Sequence, residues 1–382
     1  MNNIRGHIIR HIFLFAIVCV FLSCSSDPNN PVVTSDDVEL QIGFRLATRT
    51  TGDDLYEEGE MYENYIDVAG GDYRILFFDS DNKFIARFYP NGVISNEEKN
   101  YREYDVTGTV PSSLVSHNDF KVVVIANWPT YLEESEMTVG QTTIDDLCNN
   151  VKSQFKQFTS FSLGANRLIP FYGVREFTDV TFEPDVATIL TDPITLLRAV
   201  SKVEVILKSK TEDDLSLKSV QICRYNQKGY CAPNADQRSD YDHDGVWEDD
   251  YAESLHLVNG ENDVDSDGNA EDKSLSLLMV KSWESDGYKH EKWIAYLTEY
   301  QNVDAEDGYC YVEAKFTNQL KDDASHKIYF AKYENGQTDN EATTRLNIER
   351  NNLYRFNVTA TPLQLLVSVD KWVYGGTVHI EM

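Results

Sequence analysis

Residues Val38 to Ala47 read VELQIGFRLA: Val38, Leu40, Ile42, Phe44 and Leu46 alternate with Glu39, Gln41, Gly43, Arg45 and Ala47. Successive side chains on a strand point to opposite faces, so a period of two predicts a strand with one buried apolar face. The same pattern recurs along the chain. Asp72–Asp79 and Lys83–Tyr89 flank the turn residues Ser80-Asp81-Asn82 and read as a hairpin. Phe120–Asn127, FKVVVIAN, is apolar on both faces at its centre, which predicts a strand inside a sheet. Leu197, Ala199, Ser201, Val203, Val205 and Leu207 alternate with Arg198, Val200, Lys202, Glu204, Ile206 and Lys208, predicting one long strand. Strand patterns then return at Leu275–Val280, Trp293–Leu297, Tyr309–Phe316, Arg345–Glu349, Leu353–Thr359, Leu363–Trp372 and Thr377–Met382. Short strands at this spacing, separated by polar turns, predict an all-β chain of antiparallel sandwiches.

One segment departs from the period of two. Ile144, Leu147, Cys148, Val151, Phe155 and Phe158 recur at helical spacing, with Thr143 placed as N-cap and Asp145 and Asp146 in the first turn. This predicts one short helix on the first sandwich. A chain of 382 residues fits two domains of ordinary size. Thr191-Asp192-Pro193 marks the expected boundary, giving sandwiches at 50–190 and 191–382 after a leader at 1–23 and a first strand region at 24–49.

Met1–Ser23 has the character of a targeting segment: Arg5, His7, Arg10 and His11 precede an apolar run from Ile12 to Leu22. That run is short of the roughly 20 residues a membrane span needs. Phe21-Leu22-Ser23-Cys24 resembles the lipobox of bacterial lipoproteins, which implies that Cys24 becomes an acylated N-terminus anchored in a membrane. The net charge is −29, and loss of the leader, whose only charged residues are Arg5 and Arg10, makes it more negative still. Such a charge repels nucleic acid, so none is expected as a partner.

Cys148, Cys223, Cys231 and Cys310 remain after the leader and Cys24. Cys223 and Cys231 flank the turn-like Asn226-Gln227-Lys228-Gly229, which allows a hairpin disulfide, while buried thiols are the other reading. The chain has no nucleophile elbow, P-loop, dinucleotide fingerprint or His-Glu-x-x-His motif, and no catalytic residue or cofactor is assigned. Asp240, Asp242, Asp244 and Gly245 form an Asp-x-Asp-x-Asp-Gly run that Asp263, Asp265, Asp267 and Gly268 repeat. Spaced carboxylates on a glycine turn can hold Ca²⁺, but Tyr251 and Ser274 stand where an EF-hand loop supplies its bidentate Glu. A solvated acidic loop within Asn234–Lys273 is the expectation, with no metal assigned.

The chain resembles the Bacteroidales fimbrillins, or type V pilins. The likeness lies in the Cys24 leader, GDYRILFFDSDNKFIARF, KVVVIANW, LIPFYGV, LLRAVSKVEVILK, ERNNLYRFNVTAT and VSVDKWVYGG, an ordered set that spans nearly all of the mature chain. The resemblance implies two transthyretin-like sandwiches, export as a lipoprotein to the outer surface of the outer membrane, processing by an arginine-specific protease and polymerisation into fimbriae by strand exchange. The expected processing residues are Arg49 or Arg45, with Arg49 preferred because a cut there takes Leu46 away with the strand. Thr48–Gly52 is expected to be an exposed loop open to a protease. Two segments qualify as donor strands: Leu365, Val367 and Val369 alternate in one, and Val378, Ile380 and Met382 in the other. Expected partners are other fimbrial subunits and a host or bacterial surface ligand. A surface glycan-binding lipoprotein of a polysaccharide-uptake system is the competing function, and a hydrolase using unrecognised carboxylates a third. Palmitate fed to expressing cells is expected to label the wild-type chain and not Cys24→Ala, which should run on a gel as an unprocessed precursor.

Overall fold

The strands, in chain order, are β1 Gln41–Arg49, β2 Tyr73–Asp79, β3 Phe84–Phe88, β4 Pro90–Glu98, β5 Tyr101–Thr109, β6 Phe120–Ala126, β7 Gln154–Lys156, β8 Phe171–Phe177, β9 Thr188–Ile189, β10 Ile194–Arg198, β11 Ser201–Lys210, β12 Leu217–Cys223, β13 Lys228–Tyr230, β14 Ser274–Ser276, β15 Leu278–Ser285, β16 Tyr288–Leu297, β17 Tyr311–Phe316, β18 Ser325–Tyr329, β19 Ala331–Lys332, β20 Thr344–Arg345 and β21 Leu353–Thr359. This computed structural model describes residues 41–49, 60–98, 101–158, 167–183, 186–213, 215–236, 238, 255–258, 274–303, 309–317, 325–332 and 344–359. The chain is all-β, with helix confined to short turns among the described residues.

Nine strands form the first sheet in the order β3-β2-β6-β8-β10-β1-β5-β4, with β9 beside β1. The apolar centre of FKVVVIAN becomes β6, flanked by β2 and β8 and buried at Val122, Val123, Val124 and Ile125. Phe77 meets the rings of Phe88 and Phe120 edge-on, at 5.8 and 5.5 Å between centroids, a preferred aromatic arrangement. The hairpin expected at Ser80-Asp81-Asn82 forms, with Asn82 in the left-handed region at φ 60°.

The rest of the chain makes two four-stranded sheets, β15-β16-β11-β21 and β14-β12-β17-β18. Val203, Val205 and Leu207 of β11 share a second core with Val220 and Ile222 of β12, Val312 and Ala314 of β17, and Phe356 and Val358 of β21. The opposite face of the β11 sheet is covered as well: Ile294, Tyr296 and Leu353 join the core of the first sheet. Within these mostly antiparallel sheets, β1 runs parallel to β10 and β9, and β11 parallel to β21.

Several expectations are corrected. The long strand expected from Leu197 to Leu207 is two strands in different sheets. At Ala199 and Val200 the backbone turns outward to other partners, Ala199 N–H donating to Pro170 O at 2.9 Å and Asn351 N–H to Val200 O at 2.9 Å. The chain therefore leaves the first sheet after Arg198. The expected helix reaches only from Ile144 to Cys148, where Thr143 caps it as anticipated, its side chain accepting from Asp146 N–H. Asn149 and Asn150 end it, since Asn favours turns over helix interiors. Phe155 is then buried by an extended segment, paired with Gly229 between β7 and β13. The hairpin β4–β5 was not foreseen. Among the described side chains of β5, Tyr104 and Val106 are the apolar ones that turn into the core, and its polar outer face hides the alternation.

Gly173, at the middle of β8, faces Leu196 of β10 across the ladder. A Cβ there would lie 2.3 Å from Leu196 Cδ2 and 2.8 Å from the Thr195 carbonyl oxygen. A backbone oxygen in a sheet centre cannot step aside, so Gly173→Val is expected to destabilise the protein by about 1–3 kcal/mol. Urea unfolding followed by tryptophan fluorescence measures the loss.

Candidate assembly interface

β1 lies inside the first sheet, with β5 on one side and β10 and β9 on the other. All nine of its residues align with β5, from Gln41 opposite Thr109 to Arg49 opposite Tyr101. On the other side, Leu46 and Ala47 align with Ile194 and Thr195, and Ile42 and Gly43 with Thr188 and Ile189. Ile42 and Leu46 are 1% and 2% exposed and share the core with Tyr104, Val106, Leu190 and Ile194. Burying two aliphatic side chains to this extent is worth about 1.5–3 kcal/mol each. Gly43 permits the close approach of β9: a Cβ there would sit 3.1 Å from Ile189 Cδ1, and Gly43 O accepts from Leu190 N–H at 2.8 Å. On the β5 side, Gly108 makes room for Phe88, whose Cζ would lie 2.6 Å from a Cβ at that position.

Withdrawal of β1 would therefore open two apolar positions and strip β5 of a full ladder of backbone partners. Exposed donors and acceptors of that kind template a new strand. The geometry corrects one detail of the expected processing site. Thr48 and Arg49 do not start a loop; they are the last residues of β1, held opposite Arg102 and Tyr101. Arg45 is mid-strand, opposite Asp105. Cys24, the donor segments containing Leu365, Val367, Val369, Val378 and Ile380, and the runs at Asp240, Asp242, Asp244 and at Asp263, Asp265, Asp267 lie outside the described residues. Among the described residues, no group of three or more His, Cys, Asp or Glu side chains is arranged to hold a metal ion.

A second feature went unread in the sequence, a set of buried charges where the two cores meet. Lys202 and Glu204 are two apart on β11 and so share a face. Arg355 of β21 and Ile294 of β16 align with Glu204, while Lys292 aligns with Ile206. The Glu204 carboxylate, 2% exposed, lies 3.0 Å from Lys202 Nζ, 3.1 Å from Lys292 Nζ and 2.8 Å from Arg355 Nε. Burial alone would raise the pKa of Glu204, but the three cations outweigh it and hold the group far below the usual carboxylate range. Lys202 also reaches Glu63 at 2.9 Å, and Tyr296 donates its hydroxyl hydrogen to Glu63. Glu63 lies in the short 3-10 turn Glu60–Asn64, which precedes β2.

Arg198, buried at the end of β10, adds to this junction by donating to Glu63 O at 3.3 Å, to Asn351 Oδ1 at 3.0 Å and to Asn64 Oδ1. Gln157, just after β7, clamps the end of β16 by donating to Tyr296 O at 2.6 Å and accepting from Thr298 N–H at 2.8 Å. The signal available in the sequence was the pair Lys202 and Glu204, charges that alternate onto one face of the strand.

No family model and no curated protein matches the chain. Among solved structures, a candidate cell adhesion protein from Parabacteroides distasonis aligns over 88% of this chain and 98% of its own, at 14% identity and a TM-score of 0.43. A fimbrial assembly protein from the same organism aligns over 87% of this chain and 100% of its own, at 14% identity and a TM-score of 0.40. A candidate polysaccharide-binding protein from Bacteroides thetaiotaomicron aligns over 90% and 99%, at 13% identity and a TM-score of 0.36. Likeness at this level leaves the functional argument to the geometry of this chain.

Glu204→Gln removes the negative charge from three cations, of which Lys202 and Lys292 stay buried, and is expected to cost about 3–5 kcal/mol in urea unfolding. The folded pKa of Glu204 lies below its unfolded value of 4.5, so its contribution is complete above that pH and fades as pH falls towards the folded value. Stability measured through acid should therefore fall less steeply in Glu204→Gln than in wild type.

Proposed function

We propose that the chain is a structural subunit of cell-surface fimbriae, exported as a lipoprotein through Cys24 and assembled by strand exchange once an arginine-specific protease has cut at Arg49 or Arg45. The observation that carries this reading is the place of β1. It is the first strand in chain order among the described residues yet sits between β5 and β10, and the chain runs on from it through the segment that follows Arg49. One cut there frees the whole strand without breaking any other ladder. Such a strand is interior to its sheet yet severable by one cut. It suits a sheet that is completed first by its own chain and later by another.

The sequence supplies candidates for the incoming strand. Ile42 and Leu46 are four residues apart on the buried face, and a replacement must repeat that spacing. Leu365 and Val369 do so with Val367 between them, as do Val378 and Met382 with Ile380 between them. A cut after Arg49 vacates the full length of the β5 ladder, whereas a cut after Arg45 leaves Leu46 in its pocket, so Arg49 is the preferred site.

The test treats purified precursor with an arginine-specific protease under assembly conditions. SDS-resistant ladders are expected from wild type. None should form from Arg45→Ala/Arg49→Ala, and loss of ladders in a chain truncated after Tyr374 would identify Val378–Met382 as the donor. Clean removal of β1 that leaves only stable monomers overturns self-assembly.

A further inference from the structure

At one end of the sheet β14-β12-β17-β18, tyrosines gather around a cation. Tyr311 of β17 aligns with Tyr329 of β18, while their neighbours Cys310, Val312 and Ile328 lie in the second core. The two tyrosines therefore stand on the outer face of the sheet, with ring centroids 5.8 Å apart. Tyr309 joins them, its ring 6.3 Å from that of Tyr329 and at 85° to it. After Tyr329 the chain passes through the buried Phe330 to β19, where the pairing of Ala331 with Arg345 brings β20 alongside. That pairing sets the Arg345 guanidinium against two rings, with Cζ 3.9 Å from the centroid of Tyr329 and 4.7 Å from that of Tyr309. On the same face, Lys327 of β18 holds Nζ 4.6 Å from the Tyr311 ring, and Glu313 of β17 aligns with Lys327.

Ring faces held against a guanidinium offset part of its charge but offer its N–H groups no oxygen. Arg345 Nη1 is buried and meets no hydrogen-bond partner among the described residues. Arg74, Arg87, Arg238 and Arg350 each carry an unmatched nitrogen too, but there it is the inner Nε. In Arg345 it is an end of the fork that grips a carboxylate through parallel bonds. A buried donor of this kind is costly until something supplies an acceptor. The acceptor that fits is small and singly charged. A net charge of −29 turns a polyanion away, whereas the repulsion of a single carboxylate is screened beyond about 8 Å at physiological salt. A tyrosine ring presents an electron-rich apolar face and a polar tip, and a pyranose answers both with its C–H face and its rim of hydroxyls.

We propose that Arg345, Tyr309 and Tyr329, with Tyr311 and Lys327 beside them, bind an acidic sugar, a pyranose that carries one carboxylate. The carboxylate takes the Nη1 end of Arg345. Tyr309, 38% exposed, turns to admit it and then lies against the C–H face of the sugar, while Lys327 adds a positive charge at the rim. Such a site gives the chain a partner other than a subunit of its own filament, and it stands whether or not the chain polymerises.

The test needs neither export nor assembly, so its failure and that of the fimbrial reading are separate results. The full chain is titrated with the methyl glycosides of glucuronic, galacturonic and N-acetylneuraminic acid, and binding is followed by saturation-transfer NMR. At least one of these probes is expected to bind with a Kd on the order of 1 mM. Methyl glucoside and methyl galactoside, which lack the carboxylate, should bind at least about tenfold more weakly. Arg345→Gln should weaken the acidic probe by about 10- to 100-fold, and Arg345→Lys by less, since it keeps the charge and loses the fork. Tyr309→Ala should cost about 2- to 12-fold. Failure of every acidic probe to bind wild type, equal binding of acidic and neutral glycosides, or an unchanged Kd in Arg345→Gln overturns the assignment. Acetyl-glycylglycine binding as tightly as the sugars would also overturn it, by making the site one for a peptide carboxylate. If Arg345→Gln does not fold, the comparison of acidic with neutral probes on wild type decides the matter.

Discussion

The structure depends on how one carboxylate is kept ionised away from water. Burying Glu204 without partners would cost several kcal/mol, and only closely placed cations offset that. They come from three strands of one sheet, Lys202 beside it on β11, Lys292 on β16 and Arg355 on β21. Their spacing is set by strand register, so a slip of one residue between β11 and either neighbour would point a charge into the apolar face opposite. The demand for charge balance thus fixes the alignment of the sheet. Because Lys202 also serves Glu63, it fixes the turn ahead of β2 against that sheet too. Arg198 and Gln157 continue the same seam with hydrogen bonds to buried backbone carbonyls, and Asn351 accepts from Arg198 through its side-chain oxygen. The two cores are therefore held by directional polar contacts at the junction as well as by apolar area.

That rigidity bears on β1. If β1 is withdrawn as proposed, the strands that remain need anchors elsewhere. β10 is anchored through Arg198 to the seam, and β5 is anchored by the β4 hairpin on its far side. Tyr104 of β5 also accepts from Ile66 N–H through its hydroxyl at 3.0 Å, tying that strand to the turn region before β2. The edges on either side of β1 thus have supports of their own.

Much of this was legible in the sequence because it follows from alternation. β2, β3, β6, β17 and β21 have apolar residues at a period of two or in a continuous run, and the hairpin at Asn82 follows from turn chemistry. What was not legible depends on what covers a face. The alternation of Arg198, Lys202 and Glu204 looks the same whether the outer face meets water or another layer, so the buried seam could not be seen. The break at Ala199–Val200 was hidden for a related reason. Its apolar pattern continues without interruption while its backbone bonds pass to Pro170 and Asn351. The helix was overextended because Val151, Phe155 and Phe158 fit a helical period as well as an extended one, and the β7–β13 pairing that decides between them is distant in sequence. At the candidate interface, Ile42 and Leu46 were expected on the inward face and are buried, whereas the partner strand β5 offered too little apolar signal to be read.

The β1–β5 alignment has a mechanical consequence. Force applied along the strand axis loads all of the ladder's hydrogen bonds together, in shear, whereas force across the axis would peel them one at a time. A strand seated as β1 is seated yields to a sideways tug far more easily than to a lengthwise pull. A polymer whose links lay in this groove along the direction of tension would be strong under load and still open to exchange from the side.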